Sequence, residues 1–186
     1  SFLLPVEDNN AEKINNIPAE ITRLPQPLFE AIKYFESLVE VSDVIVAHNA
    51  AFDMKWFGHN KLPHIEKKWI CSMDDITWPS DRQLKTRPSV KDLALAYGVP
   101  VWNAHRALTD CIYLAEVFKR CGELEKLLIR ALEPKVLIRA EVTYEKRHLA
   151  KNAGFRWNDS IKGAWSRRMS RRDIKKLEFP VHEVDL

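Results

Sequence analysis

The chain has 186 residues, 46% hydrophobic and 30% charged. That is long enough to bury a core and too apolar for wholesale disorder. A net charge of +3 hides an asymmetry: residues 1–134 hold 16 Lys+Arg against 19 Asp+Glu, and residues 135–186 hold 13 against 7. The acidic body is the expected place for metal, and the basic tail the expected place for phosphate attraction.

No apolar run approaches the roughly 20 residues of a membrane span. Ser1-Phe2-Leu3-Leu4 before Pro5 is no signal peptide, which needs a basic start and a longer apolar core. Cys71, Cys111 and Cys121 are an odd set without CxxC spacing, so neither a disulfide framework nor a zinc site is implied. A reducing, cytoplasmic setting with no membrane partner is the expectation. The first residue is Ser rather than Met, as in an excised piece or a processed product.

In chain order, Ser1 to Glu7 reads as the end of a strand, and Glu7 to Asn16 as loop. Pro18-Ala19-Glu20-Ile21-Thr22 reads as a single turn. Pro27 opens an amphipathic helix, with Leu28, Ala31, Ile32, Phe35, Leu38 and Val39 at helical spacing. Val44-Ile45-Val46-Ala47 is a wholly apolar, β-branched run, expected as a strand buried on both faces. A helix through Phe52, Trp56 and Phe57 follows, these three being expected in the core. Asp53 then falls in the first helical turn, at the carboxyl end of the strand, where open α/β sheets place ligands.

Lys68-Trp69-Ile70-Cys71 reads as a second strand, with Ser72 capping a helix of Met73 to Ile76 and Asp74 and Asp75 at its solvated start. Pro79 to Pro88 reads as loop. Ser89 caps a helix that Gly98 ends. Pro100 to Ala104 is a linker before a long helix from about His105, with Leu108, Cys111, Ile112, Ala115 and Phe118 on one face. Leu124 to Leu132 continues as helix after Gly122, and Pro134 marks a boundary between residues 1–133 and 134–186. In the tail, Val136-Leu137-Ile138 reads as strand, Thr143 as the cap of a helix from Tyr144 to Ala153, and Phe155–Trp157 and Ala164–Ser166 as paired strands. Ser170 would cap a short basic helix, and Phe179 to Val184 would close a small α+β unit.

The chemistry rests on His105-Arg106-Ala107-Leu108-Thr109-Asp110 and His48-Asn49-Ala50-Ala51-Phe52-Asp53. Hydrolysing a phosphodiester by in-line attack of water needs the water deprotonated and the growing charge neutralised. Two Mg²⁺ or Mn²⁺ ions roughly 4 Å apart do both, and they prefer carboxylate oxygens. An imidazole titrating near neutrality takes the proton. Five residues of helix turn through about 500°, leaving His105 and Asp110 roughly 140° apart if both were mid-helix. The pair works better with His105 just before the helix and Asp110 within it. His48 reads as a strand-end structural residue, and Asn49 as a partner for backbone groups.

These two hexapeptides resemble the second and third motifs of the DnaQ-like 3′–5′ exonucleases, of the branch with histidine in the last motif, like the epsilon subunit of DNA polymerase III. The resemblance spans residues 1–120. It implies an α/β, RNase H-like fold, a mixed sheet with flanking helices, followed by a small α+β C-terminal domain. It implies Asp53 and Asp110 as metal carboxylates and His105 as general base. In the family an Asp and a Glu of the first motif, on the central strand, bind both metals. Neither Glu7-Asp8 nor the tail's His182-Glu183-Val184-Asp185 matches that context, so the resemblance makes this a truncated or split exonuclease with an incomplete two-metal site, in which Val44–Ala47 lacks its natural neighbour.

The implied activity is metal-dependent 3′–5′ hydrolysis of single-stranded DNA ends, in proofreading or repair, with RNA as a second substrate class and a DNA polymerase subunit as a partner. The alternative is a non-catalytic binding or polymerase-docking module. The tail residues Ala150-Lys151, Gly154-Phe155-Arg156-Trp157, Lys162 and Trp165 resemble a small module appended to nucleic-acid enzymes. Asn49, Phe52, Arg106, Arg167, Arg168, Arg171 and Lys175 are the expected nucleic-acid contacts, with Arg172 and Lys176 in the same basic run beside Trp157 and Trp165.

Overall fold

The structure is a computed structural model that describes residues 2–59, 62–103 and 105–185. Two short helices, α1 (Glu12–Asn15) and α2 (Ala19–Thr22), precede the long α3 (Leu28–Val41). β1 (Val44–Ala47) leads into α4 (Ala50–Asp53), and β2 (Lys68–Cys71) into a loop region. Then come α5 (Val90–Ala96), α6 (Ala107–Arg120) and α7 (Leu124–Ala131). The remainder is β3 (Lys135–Ala140), α8 (Arg147–Asn152), β4 (Arg156–Trp157), β5 (Trp165–Ser170), α9 (Arg171–Ile174) and β6 (Val181–Glu183).

β1 and β2 pair in parallel, Val44 opposite Lys68 and Ala47 opposite Cys71. The amide of Ser72 donates to the Ala47 carbonyl at 2.9 Å and carries the ladder one residue further. Behind this pair lies a core of Ile70, Ile76, Trp78, Leu93, Tyr97, Tyr113 and Val117. The α5–α6 pair supplies most of it, because Leu93, Tyr113, Leu114 and Val117 recur on facing stripes. The second sheet is antiparallel, in the order β4-β5-β3-β6, over a core of Ile138, Ala140, Ala150, Phe155 and Met169.

Several expectations meet corrections. Phe2 to Glu7 forms no strand, and Ser1 lies outside the described residues. Residues 12–15 fold into α1 because Asn9 ties the stretch together, its amide donating to the Ile17 carbonyl at 2.6 Å. β1 is half-buried throughout rather than buried on both faces. Among the described residues it has one strand neighbour, so its other edge carries no ladder. α3 likewise buries no residue fully, and Phe29, Tyr34, Leu38 and Val41 stand exposed along it.

Residues 72–75 make turns, not a helix, because Asp75 turns back to accept the Cys71 amide at 2.7 Å. Asp74 and Asp75 are not a solvated helix start. Asp74 binds Arg87 and Arg156, and Asp75 binds Lys135 at 2.9 Å, so these two carboxylates join the two sheets. Thr143 does not cap α8, which starts later, at Arg147, with no side-chain cap. Ser89 does cap α5, in a reciprocal capping box with Asp92. Ser170 caps α9 by accepting the Asp173 amide at 3.3 Å.

Residues 101–103 run toward His105, and a buried side chain fixes their path. The Tyr113 hydroxyl accepts the Trp102 amide at 2.8 Å and the Asn103 amide at 3.0 Å. Ala104, the last residue of the expected linker, lies outside the described residues. Tyr113→Phe deletes one acceptor and strands two donors, so it should cost about 1–3 kcal/mol in urea unfolding. Asp74→Ala removes the shared partner of Arg87 and Arg156. All three are partly exposed, and the expected loss is about 1–2 kcal/mol, measured in the same way.

Candidate active site

The candidate site forms at the carboxyl end of β1. The chain leaves the strand at His48 and turns at Asn49, whose φ of 67° is left-handed, a conformation Asn tolerates. α4 then begins, and Asp53 sits in its single turn. From the other side, His105 also adopts a left-handed φ of 67°, and α6 starts two residues later. Asp110 lies within the first turns of α6 and its amide donates to the Arg106 carbonyl at 2.8 Å. The imidazole therefore precedes the helix and the carboxylate belongs to it, which removes the 140° mismatch of a shared helix.

These elements enclose an open cleft of about 510 Å³, lined by His48, Phe52, Asp53, His105, Asp110 and Cys111 among others. Asp53, His105 and Asp110, 57 residues apart at their extremes, thus meet on one surface. Burial raises the carboxyl pKa of both Asp53 and Asp110 from the ordinary aspartate value; the His105 backbone and charge draw Asp110 back in part. The Cys111 thiol is pushed up by burial, then by the Asp110 and Asp53 charges, which places it beside both.

His48 has the structural part expected of it. Its Nδ1 and the Ser72 hydroxyl are 3.0 Å apart, and burial lowers its pKa. Ser72 is fully buried and Tyr113 holds the approach to His105, yet neither role had a sequence signal. Their partners lie 24 and 10 residues away, outside any local pattern.

The expected nucleic-acid contacts divide. Phe52 lines the cleft and is 56% exposed; it and Trp56, 57% exposed, are not core, whereas Phe57 packs on Phe35 and Trp69. Asn49 does not line the cleft and its side chain makes no capping bond. Arg106 donates to the Asn16 carbonyl at 3.1 Å. Arg167 is turned inward, donating to the Ala153 and Asp74 carbonyls, and Arg171 pairs with Glu183 at 2.8 Å. Arg172 and Lys176 are engaged with Glu133 and Asp173. Arg168 and Lys175 are exposed and form no ion pair among the described residues. Arg168 lines a groove beside α4 with Ala51, Met54 and Arg156. Four of the six basic side chains of the run are therefore committed to partners within the chain, although all but Arg167 are exposed.

The donor types suit a hard divalent cation, because carboxylates are what Mg²⁺ and Mn²⁺ select. The donor number does not. Among the described residues no three His, Cys, Asp or Glu side chains gather as a metal site. Two carboxylates are short of what two ions need.

Comparison with known proteins completes the picture. Residues 5–118 match the Exonuclease family, RNase_T. Residues 136–184 match a domain of unknown function, DUF8626. The chain is 27% identical to the 3′-5′ exonuclease DinG of Staphylococcus aureus (strain MRSA252), over 67% of its own length and 15% of that protein's. No solved structure matches. No helix among the described residues is long and apolar enough to cross a membrane. With most of its length matched, and with both hexapeptides inside the match, the chain belongs to the DnaQ-like exonuclease family.

Proposed function

We propose that this chain serves metal-dependent 3′–5′ hydrolysis of phosphodiester bonds at single-stranded DNA ends, on an RNase H-like exonuclease body. One observation carries the proposal: Asp53, His105 and Asp110 line a single cleft although they come from separate elements. In it His105, exposed at the mouth, takes the proton of the attacking water. Asp53 and Asp110 give the cleft its negative charge and form part of a bed for Mg²⁺ or Mn²⁺. Among the described residues no further carboxylate lines the cleft with them. Exonuclease domains of this family generally use divalent metals, which supports the cofactor. The name of the staphylococcal relative supports the 3′–5′ polarity, and the 15% of that protein matched makes its whole activity a proposal here.

A second reading is favoured by the short donor set. With two carboxylates, the cleft binds metal weakly, and the chain would act as a binding or polymerase-docking module derived from a nuclease. RNA ends are the other substrate class. A cytoplasmic setting suits either reading.

A 5′-labelled single-stranded DNA with Mn²⁺ separates the two readings. The nuclease yields a ladder from the 3′ end that EDTA abolishes, whereas the binding module yields none and binds with EDTA present. His105→Ala should lower cleavage about 10²–10⁴-fold, as loss of a general base does, and Asp110→Asn should lower it too, by removing a metal carboxylate. An RNA oligomer of the same sequence, run in parallel, tests the 2′-OH.

The raised carboxyls also fix a stability trend in EDTA. A carboxyl whose folded pKa lies above its unfolded value contributes most below the unfolded value. That contribution is lost as pH rises through the folded one. Asp53→Asn and Asp110→Asn should therefore raise Tm at neutral pH, and the gain should vanish near pH 3, below the unfolded carboxylate range.

A further inference from the structure

The antiparallel unit carries aromatic surface that its own core does not use. Trp157 and Trp165 stand opposite each other on β4 and β5, ring centroids 5.8 Å apart and 60° between planes. Trp165 packs on the core, while Trp157 is 56% exposed. An edge-on neighbour leaves a ring face uncovered. Across from them Tyr144 is 74% exposed, with the Arg147 guanidinium 3.7 Å from its ring centre. Tyr144, Arg147, Trp157 and Trp165, with Val142 and Thr143, line a pocket of about 360 Å³, inside the roughly 300–1,000 Å³ range of ligand sites.

Its charge says what suits the pocket. Residues 135–186 hold 13 basic and 7 acidic side chains. Those of the run 167–176 are mostly spent on Glu133, Asp173, Glu183 and backbone carbonyls. Lys146, Arg147 and Lys162 form no ion pair among the described residues. Lys146 and Arg147 adjoin Tyr144, and Lys162 lies in the turn joining the two Trp-bearing strands. Exposed rings with cations that form no ion pair close by in sequence match an unpaired base and its phosphates, since every base has a π-face and every linkage a negative charge. Arg147 covers one face of Tyr144 and donates to its carbonyl at 2.6 Å, and leaves the other face open.

We infer that Tyr144, Trp157 and Trp165 form a stacking site for an unpaired nucleobase of a single-stranded nucleic acid. The strand class comes from the proposed nuclease function; the site itself is separate from the cleft of Asp53 and Asp110.

The test is fluorescence anisotropy of the full chain with 5′-fluorescein-labelled dT15, in EDTA so that nothing is cut. Trp157→Ala and Tyr144→Ala should each weaken binding about 5- to 150-fold, the range one stacked base spans. Trp157→Phe should stay near the parent, because it keeps a π-face. Both aromatic side chains are exposed, so circular dichroism should show the variants folded. A U15 competitor equal to dT15 assigns the site to single strands of either sugar, and a weaker one assigns it to DNA. Duplex dT15·dA15 should compete poorly, since its bases are already stacked.

Unchanged affinity in both alanine variants overturns the inference, as does quenching of Trp157 by an acidic or proline-rich peptide but not by dT15. Asp110→Asn keeps the two proposals apart. If it binds dT15 normally yet cleaves nothing, the stacking site stands with the nuclease. If the parent binds through Trp157 and never cleaves, only the nuclease proposal fails.

Discussion

The parallel pairing of β1 with β2 is the constraint on which the site depends. Four residues of each strand exchange backbone hydrogen bonds, and Ser72 adds one more at the carboxyl end. That end is where β1 releases His48 and α4 starts, so the register Ala47 to Cys71 fixes where Asp53 points out of the sheet. Ser72 serves twice, because its hydroxyl also meets His48. A slip of one residue would turn every side chain of β1 to the other face and move Asp53 away from Asp110.

Against this pair, α6 brings the other half of the site. Its buried stripe of Tyr113, Leu114 and Val117 sets the rotation of the helix, and that rotation turns Asp110 toward the cleft. Tyr113 is both core and clamp: its ring closes on Trp102 and its hydroxyl holds two amides of the segment before His105. Packing and placement of the proposed base are therefore one interaction. The desolvation that lifts both carboxyl pKa values follows from the same enclosure.

The antiparallel unit is fastened to the body by charge rather than by a shared apolar core. Asp74 meets Arg156, Asp75 meets Lys135, and Asp173 meets Arg130. In the arginine-rich run itself, Arg171 meets Glu183, Arg172 meets Glu133 and Lys176 meets Asp173, so it offers few free cations. Arg167 is half-buried, holding the carbonyls of Ala153 and Asp74. Surface for a ligand remains instead on the Tyr144 turn and the Trp157 strand.

Much was legible in the chain itself, because local rules suffice for it. β-branched runs made β1, Ser89 and Asp92 made a capping box, and the two hexapeptides carried the family. Their side chains needed only neighbours in sequence to be recognised. What the sequence could not decide depends on neighbours in space. The fate of Asp74 and Arg167 and the clamp of Tyr113 on residues 102 and 103 are set by contacts across 10 to 93 residues, and Phe52, apolar enough to be read as core, stands exposed. Composition marks a residue as charged or apolar; whether it meets water, a carbonyl or a carboxylate is decided only when distant segments pack.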